Sequence, residues 1–251
     1  MFEMFENEQN IEQINKGGVT MNERQKEILE ILYQKGKVSV TELSRTLFVS
    51  EMTVRRDLIE MEKGGFLRRY RGGAILKINI GEMPISERLL LDRTEKDELA
   101  KKCTDYLCDG ATIYIDSSST CQYILPYLAQ YQNITVVTNS ISALLTLGKM
   151  HILCILIGGE YYEQDMCTVG SLAERYVNEL NVDVAFFTTA AISYDGIISD
   201  FDIKQTMIRK YVMKNANKNI FLFEKEKFGK KLLYTLCTTK DVTAVLTTDE
   251  T

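Results

Sequence analysis

The sequence predicts an α/β chain in two parts: a small winged helix-turn-helix domain, then a larger domain built on a mainly parallel sheet. Three observations predict it. The sign of the charge changes along the chain, two short amphipathic helices flank a tight turn near the front, and apolar runs alternate with amphipathic helices over the rest. The 251 residues carry a net charge of −5, divided as −3 over residues 1–20, +4 over 21–77 and −6 over 78–251. A polyanion meets local rather than total charge, so an acidic chain with a basic module is compatible with nucleic acid. Composition, at 45% hydrophobic and 26% charged, excludes low-complexity and collagen-like chains. No window approaches the roughly 18 uninterrupted apolar residues of a membrane span, and no basic region leads into an apolar run at the amino end. No membrane association is expected, and a cytoplasmic location is. Cys103, Cys108, Cys121, Cys154, Cys167 and Cys237 contain no C-x-x-C pair, so mostly buried reduced thiols are expected rather than disulfides or a zinc site. The single histidine, His151, excludes mechanisms that need two imidazoles. Neither a metal nor a cofactor is expected.

Residues 1–20 are polar and acidic and end in Lys16-Gly17-Gly18 ahead of Met21. Two readings stand side by side. One is a disordered acidic tail; the other is an untranslated segment, because Lys-Gly-Gly back-translates to a purine-rich, ribosome-binding-like stretch upstream of a start at Met21. The intact mass of protein made from the native gene separates them.

Residues 21–77 are read as the DNA-binding domain. From Asn22 to Tyr33, Ile28, Leu29, Ile31 and Leu32 form one helical stripe, and Lys35-Gly36-Lys37 ends it. Val38-Ser39-Val40 alternates like a short strand, and the hydroxyl of Thr41 is placed to cap a second helix through Leu47. Phe48-Val49-Ser50 is a tight turn, and Ser50 caps a third helix, Glu51 to Lys63, buried through Val54, Leu58 and Met61. Two helices around such a turn place the second in the DNA major groove, with its early residues at base edges. Those residues are Ser50, Glu51, Met52, Thr53, Arg55 and Arg56. After Gly64-Gly65, Phe66 to Ala74 reads as a β-hairpin wing. Its Arg68, Arg69 and Arg71 belong to a run, 63–77, with five cations and no acid, suited to a phosphate backbone. Asp57 is expected to orient arginine side chains rather than touch DNA.

The linker is placed at 78–93, around Gly81 and Pro84, and the second domain at 94–251. Thr94-Glu95-Lys96-Asp97 resembles a capping box opening a helix to Cys108. Strands are expected at 111–115, 134–138, 152–157, 184–189, 220–223 and 242–246. Helices are expected at 120–128, strained by Pro126, and at 140–150, 171–180 and 202–216. In such sheets ligands gather at the carboxyl ends of strands. There the sequence has Asp116-Ser117-Ser118-Ser119-Thr120, Thr138-Asn139-Ser140 and Gly158-Gly159: hydroxyls, exposed amides and bare backbone suited to an anion such as phosphate.

The run V-S-E-M-T-V-R-R-D-L-I-E-M-E-K-G-G-F-L-R-R-Y-R-G-G-A resembles the winged helix-turn-helix of DeoR-type bacterial transcription regulators. D-S-S-S-T, T-N-S, I-G-G, Gly170, D-x-A-F-F, D-G-I and two late lysines resemble the effector domain of the same family. The resemblance implies a fold similar to ribose-5-phosphate isomerase and a phosphorylated-sugar effector. It implies Asp116 on sugar hydroxyls, Ser118 to Thr120 on phosphate, Asn139 and Gly158-Gly159 on the ligand's flank, and Lys210 and Lys227 as cations. Departures are Ser118 where the family has glycine, Arg71 where it commonly has His, uncharged residues at 205–208 where it has an acid, and Glu224-Lys225-Glu226-Lys227 for D-x-S-K. The function expected is a regulator, a repressor of a carbohydrate operon, acting on double-stranded operator DNA as a homo-oligomer. The rival from another class is a sugar-phosphate isomerase, whose base and acid would be Asp116 and Glu224; turnover of sugar phosphates followed by NMR separates the two.

Overall fold

The computed structural model describes residues 21–64, 66–76 and 83–248. The extension at 1–20, Gly65, Gly81 and the first part of the expected linker lie outside them. The chain divides into two compact units, Met1–Asn79 and Ile80–Thr251.

In the first unit, α1 (Glu23–Lys35) opens on a reciprocal capping box, Asn22 with Gln25, and closes at Gly36 in the left-handed region. β1 (Lys37–Ser39) runs straight into α2 (Val40–Thr46). The cap of α2 is Ser39, whose hydroxyl accepts from the Glu42 amide at 3.1 Å, not Thr41 as the sequence suggested. An earlier hydroxyl in extended conformation takes the role, so Val40 becomes helical and buried. α3 (Glu51–Lys63) is capped by Ser50. The wing, β2 (Leu67–Tyr70) and β3 (Gly73–Leu76), joins β1 in an antiparallel sheet of order β1-β3-β2. A Cβ at Gly73 would run into the carbonyl oxygen of Val38, so only glycine lets β3 lie against β1. Ile28, Leu32, Leu43, Val54, Leu58, Met61 and Leu67 close the core.

In the second unit, residues 83–93, read from the sequence as linker, are part of the packed body: Met83, Ile85 and Leu91 are buried and α4 (Ile85–Arg88) lies there. α5 spans Arg93–Lys102, its N-cap being Asp92 with φ 48° and no side-chain cap, so the Thr94 capping box does not form. Lys96 explains the earlier start. Its buried ammonium donates to the carbonyls of Arg88 (2.6 Å) and Leu91 (2.7 Å) and pins the incoming chain. A 3-10 turn, Cys103–Tyr106, completes the segment.

Then follow β4 (Thr112–Ile115), α6 (Ser119–Gln122), β5 (Thr135–Thr138), α7 (Ile141–Lys149), β6 (Leu153–Leu156), β7 (Glu160–Tyr162), β8 (Cys167–Val169), α8 (Ser171–Val177) and β9 (Val182–Phe187). After them come β10 (Ala191–Ile192), β11 (Ile197–Asp200), α9 (Ile203–Asn215), β12 (Ala216–Leu222), β13 (Tyr234–Thr238) and β14 (Ala244–Leu246). The main sheet has six parallel strands in the order β14-β12-β9-β4-β5-β6, on the six segments expected. Its central strands are buried on both faces, as their continuous apolar runs require. Ile113, Ile115, Val184, Phe186, Ile220 and Leu222 point to one core. Tyr114, Phe187, Phe221 and Phe223 point to the other, as a row of rings with centroids 5.6, 5.0 and 6.1 Å apart. Pro126 divides the second expected helix into α6 and a 3-10 stretch, Leu125–Gln130, in whose first turn it sits. The hairpin β7-β8 and the antiparallel sheet β10-β11-β13 are additions that the sequence reading did not contain.

Candidate DNA interface and effector site

α3 buries Val54, Leu58 and Met61 and with them the carboxylate of Asp57. Asp57 accepts from Arg24 of α1 through both oxygens, at 2.6 and 3.1 Å, so the arginine it orients is Arg24, and this fork fixes how α3 sits on α1. That phase leaves Glu51, Met52, Arg55 and Arg56 exposed and Thr53 half-buried, with Ser50 exposed at the cap. Arg55 donates to Glu51 at 3.1 Å, and Glu51 also accepts from Thr41 at 2.7 Å. On the wing, Arg68, Arg69 and Arg71 are exposed. Arg69 is held at 2.7 Å by Glu62, whereas Arg56, Arg68 and Arg71 make no ion pair among the described residues. Of the arginines on α3 and the wing, those three are free for phosphate in this conformation. Lys37 rests over the Tyr70 ring, 4.5 Å from its centroid, and braces the wing. Phe48, in the tight turn before α3, is exposed.

In the second unit, polar side chains collect where the parallel strands end. Asp116, one residue past β4, is buried and accepts from Arg209 of α9 through both oxygens at 3.1 and 3.2 Å. The third guanidinium nitrogen donates to Asp200 at 2.7 Å. Burial alone would weaken the charge of Arg209; the two carboxylates outweigh it and raise its pKa. Ser117 donates to Gln205 at 3.0 Å, and Gln205 and Arg88 both donate to Asp165. Ser118 caps α6, accepting from the Cys121 amide, and Ser119 is buried beside it. Thr120 donates to Glu224 at 2.6 Å. Lys227 is 2.6 Å from the other oxygen of Glu224 and donates to Thr188 at 2.9 Å. Burial pushes the Glu224 pKa up, but the ammonium groups of Lys227 and Lys96 prevail and hold it below the usual carboxylate range. Burial lowers Lys96 to about 8 against the pull of Glu224, and raises Glu226 to about 7 against that of Lys227.

After β5, Thr138 donates to the Ile115 carbonyl, Asn139 accepts from Tyr114 and donates to the Thr168 carbonyl, and Ser140 caps α7. Their hydrogen bonds are spent on holding the strand ends in register, so they frame the site. Gly158 has open space around its Cα, but a Cβ at Gly159 would meet the Val169 carbonyl at 2.5 Å. The close approach at Gly159 is to the chain's own β8 rather than to a ligand. Gly170, with φ 90°, opens α8. Lys210 is exposed and stands apart from the cluster. The cation that α9 turns inward is its neighbour Arg209, on the buried face with Gln205, Ile208 and Val212.

Two family models match the chain. The DeoR-like helix-turn-helix domain covers residues 24–78 and the DeoR C terminal sensor domain residues 91–250. The chain belongs to the DeoR family. Its relatives include the glycerol-3-phosphate regulon repressor of Escherichia coli, 27% identical and covering 90% of both chains. An uncharacterized helix-turn-helix regulator of Bacillus subtilis, YulB, is 30% identical over 90% of this chain and 88% of its own. The lactose phosphotransferase system repressor of Staphylococcus epidermidis is 28% identical over 90% and 91%. Among solved structures, ribose 5-phosphate isomerase from Plasmodium falciparum aligns over 55% of this chain and 53% of its own, at 16% identity and a TM-score of 0.40. This DeoR-family chain is a transcription regulator rather than an enzyme. No helix among the described residues is long and apolar enough to cross a membrane.

Proposed function

We propose that the chain represses a carbohydrate-metabolism operon and that a phosphorylated sugar, held at the strand ends of the second unit, modulates its hold on operator DNA. What carries the reading is the concentration of charged and hydroxyl side chains there, with Lys96 and Arg209 buried and Arg88 and Lys227 half-buried. Lys227 donates to the hydroxyl of Thr188 and pairs with Glu224, Arg209 pairs with Asp116 and Asp200 and Arg88 with Asp165, and the hydroxyls of Ser117, Ser119 and Thr120 lie beside them after β4. Cations and hydroxyl donors together suit a ligand that is both anionic and hydroxylated. Asp116 faces the sugar hydroxyls and Lys227 the phosphate. Thr138, Asn139, Ser140, Gly158, Gly159 and Gly170 shape the flank.

On the DNA side, Ser50, Met52, Thr53 and Arg55 face base edges, and Arg56, Arg68 and Arg71 neutralise phosphates. Glu51, Arg55 and Arg69 engage DNA once their internal ion pairs exchange for it. One short helix with a wing reads few base pairs, so a homo-oligomer on repeated half-sites supplies the specificity. The effector acts by binding more tightly to chain states of low operator affinity. A thermal-shift screen against sugar phosphates tests it. At least one member should raise Tm by several degrees in the wild type and not in Lys227→Met; a flat response across the panel contradicts the effector assignment.

A further inference from the structure

We propose that Phe48 and Met52 form an apolar reading head that recognises the 5-methyl groups of thymines in the operator's major groove; the inference rests on the chain's role as a DNA-binding regulator. Phe48 is 94% exposed and sits at φ 53°, a left-handed conformation that an aromatic residue with a Cβ disfavours. The turn forces that conformation from both sides. The Val49 amide donates to the Ser44 carbonyl at 3.2 Å, and the Ser44 hydroxyl donates to the Val49 carbonyl at 2.5 Å. A large apolar side chain thus stands outside the core at a strained position, where glycine or asparagine would fit without cost, and such strain is retained where function uses it.

Met52, four residues on and 76% exposed, is the second apolar group at the same end of α3. This end presents side chains to base edges in a helix-turn-helix. Arg55, the first arginine of this helix, is drawn back onto Glu51. A tip with two unpartnered apolar side chains has one apolar feature to meet in the major groove, the thymine methyl.

The experiment uses the full chain to select duplexes from a randomised library, then replaces each thymine of the selected site in turn by deoxyuridine, which deletes only the methyl. At least one replacement per half-site should weaken wild-type binding about fourfold, the worth of one buried methyl group. Phe48→Gly or Phe48→Asn should bind the intact site more weakly and lose the penalty at one thymine, and Met52→Ala should lose it at another. Both Phe48 variants should melt at a higher temperature than the wild type, whereas a merely structural Phe48 would lower it. The proposal is overturned if no thymine shows a methyl dependence, if the variants keep the wild-type penalty, or if Phe48→Gly changes the oligomeric state instead of the DNA preference. Failure to enrich any duplex would instead overturn the DNA-binding reading itself.

Discussion

Arg209 is a cation placed where only carboxylates make it affordable. It is buried between Asp116 and Asp200, so Arg209→Met would leave two acids uncompensated and should cost about 3–5 kcal/mol in urea unfolding of the second unit. The residue was legible in part. The apolar phase of α9, set by Ile208 and Val212, turns position 209 inward and 210 outward. Choosing Lys210 from the motif, rather than by helical phase, put the charge on the wrong face. Asp165, Asp200 and Arg88 were not legible, because nothing local marks a side chain whose partner lies tens of residues away. Glu226 gives a pH signature. Its pKa in the folded chain is raised from an ordinary 4.5 to about 7 by burial, so the native state binds more protons between those values. The stability this provides is complete below about pH 4.5 and is lost as the pH rises through about 7. Glu226→Gln, which stays neutral, should therefore gain in Tm relative to the wild type between pH 5 and 8, by about 2–4 °C, the shift that roughly 1 kcal/mol makes in a chain of this size. A difference that does not change with pH would remove Glu226 from the account.

At the scale of elements, the helix-turn-helix and wing were read with small errors because their signals are local: a hydroxyl cap, a glycine, an apolar stripe. The misplaced cap of α2 shows the limit, since Ser39 and Thr41 both offer a hydroxyl and the backbone decides between them. The six parallel strands were legible from apolar runs long enough to be buried on both faces; β10 spans two residues and carries no period. Two elements invite direct tests. Gly73→Ala sets a methyl against the Val38 carbonyl and should destabilise the first unit by about 1–3 kcal/mol while weakening DNA binding through the wing. Arg24→Ala leaves the buried Asp57 carboxylate with neither arm of its fork and should destabilise the same unit by about 1–3 kcal/mol. Chemical denaturation that leaves either variant at wild-type stability would show that α3 is held by other means.

Across the whole molecule, the charge division in the sequence follows the two matched domains, a basic helix-turn-helix with arginines outside any ion pair among the described residues and an acidic sensor domain whose inner charges are paired at the strand ends. Salt dependence reports on the first. Phosphate contacts release counterions, so replacing Arg56, Arg68 or Arg71 by alanine should each reduce the slope of log affinity against log salt by about one unit. The most direct measurement is affinity of the full chain for the duplex upstream of its own gene against a scrambled duplex at roughly 150 mM salt, with and without the sugar phosphate that shifts its melting. The account predicts strong preference for the upstream duplex and a several-fold loss of it on adding the ligand. Equal affinity for the two duplexes, or a preference the ligand leaves untouched, would contradict it.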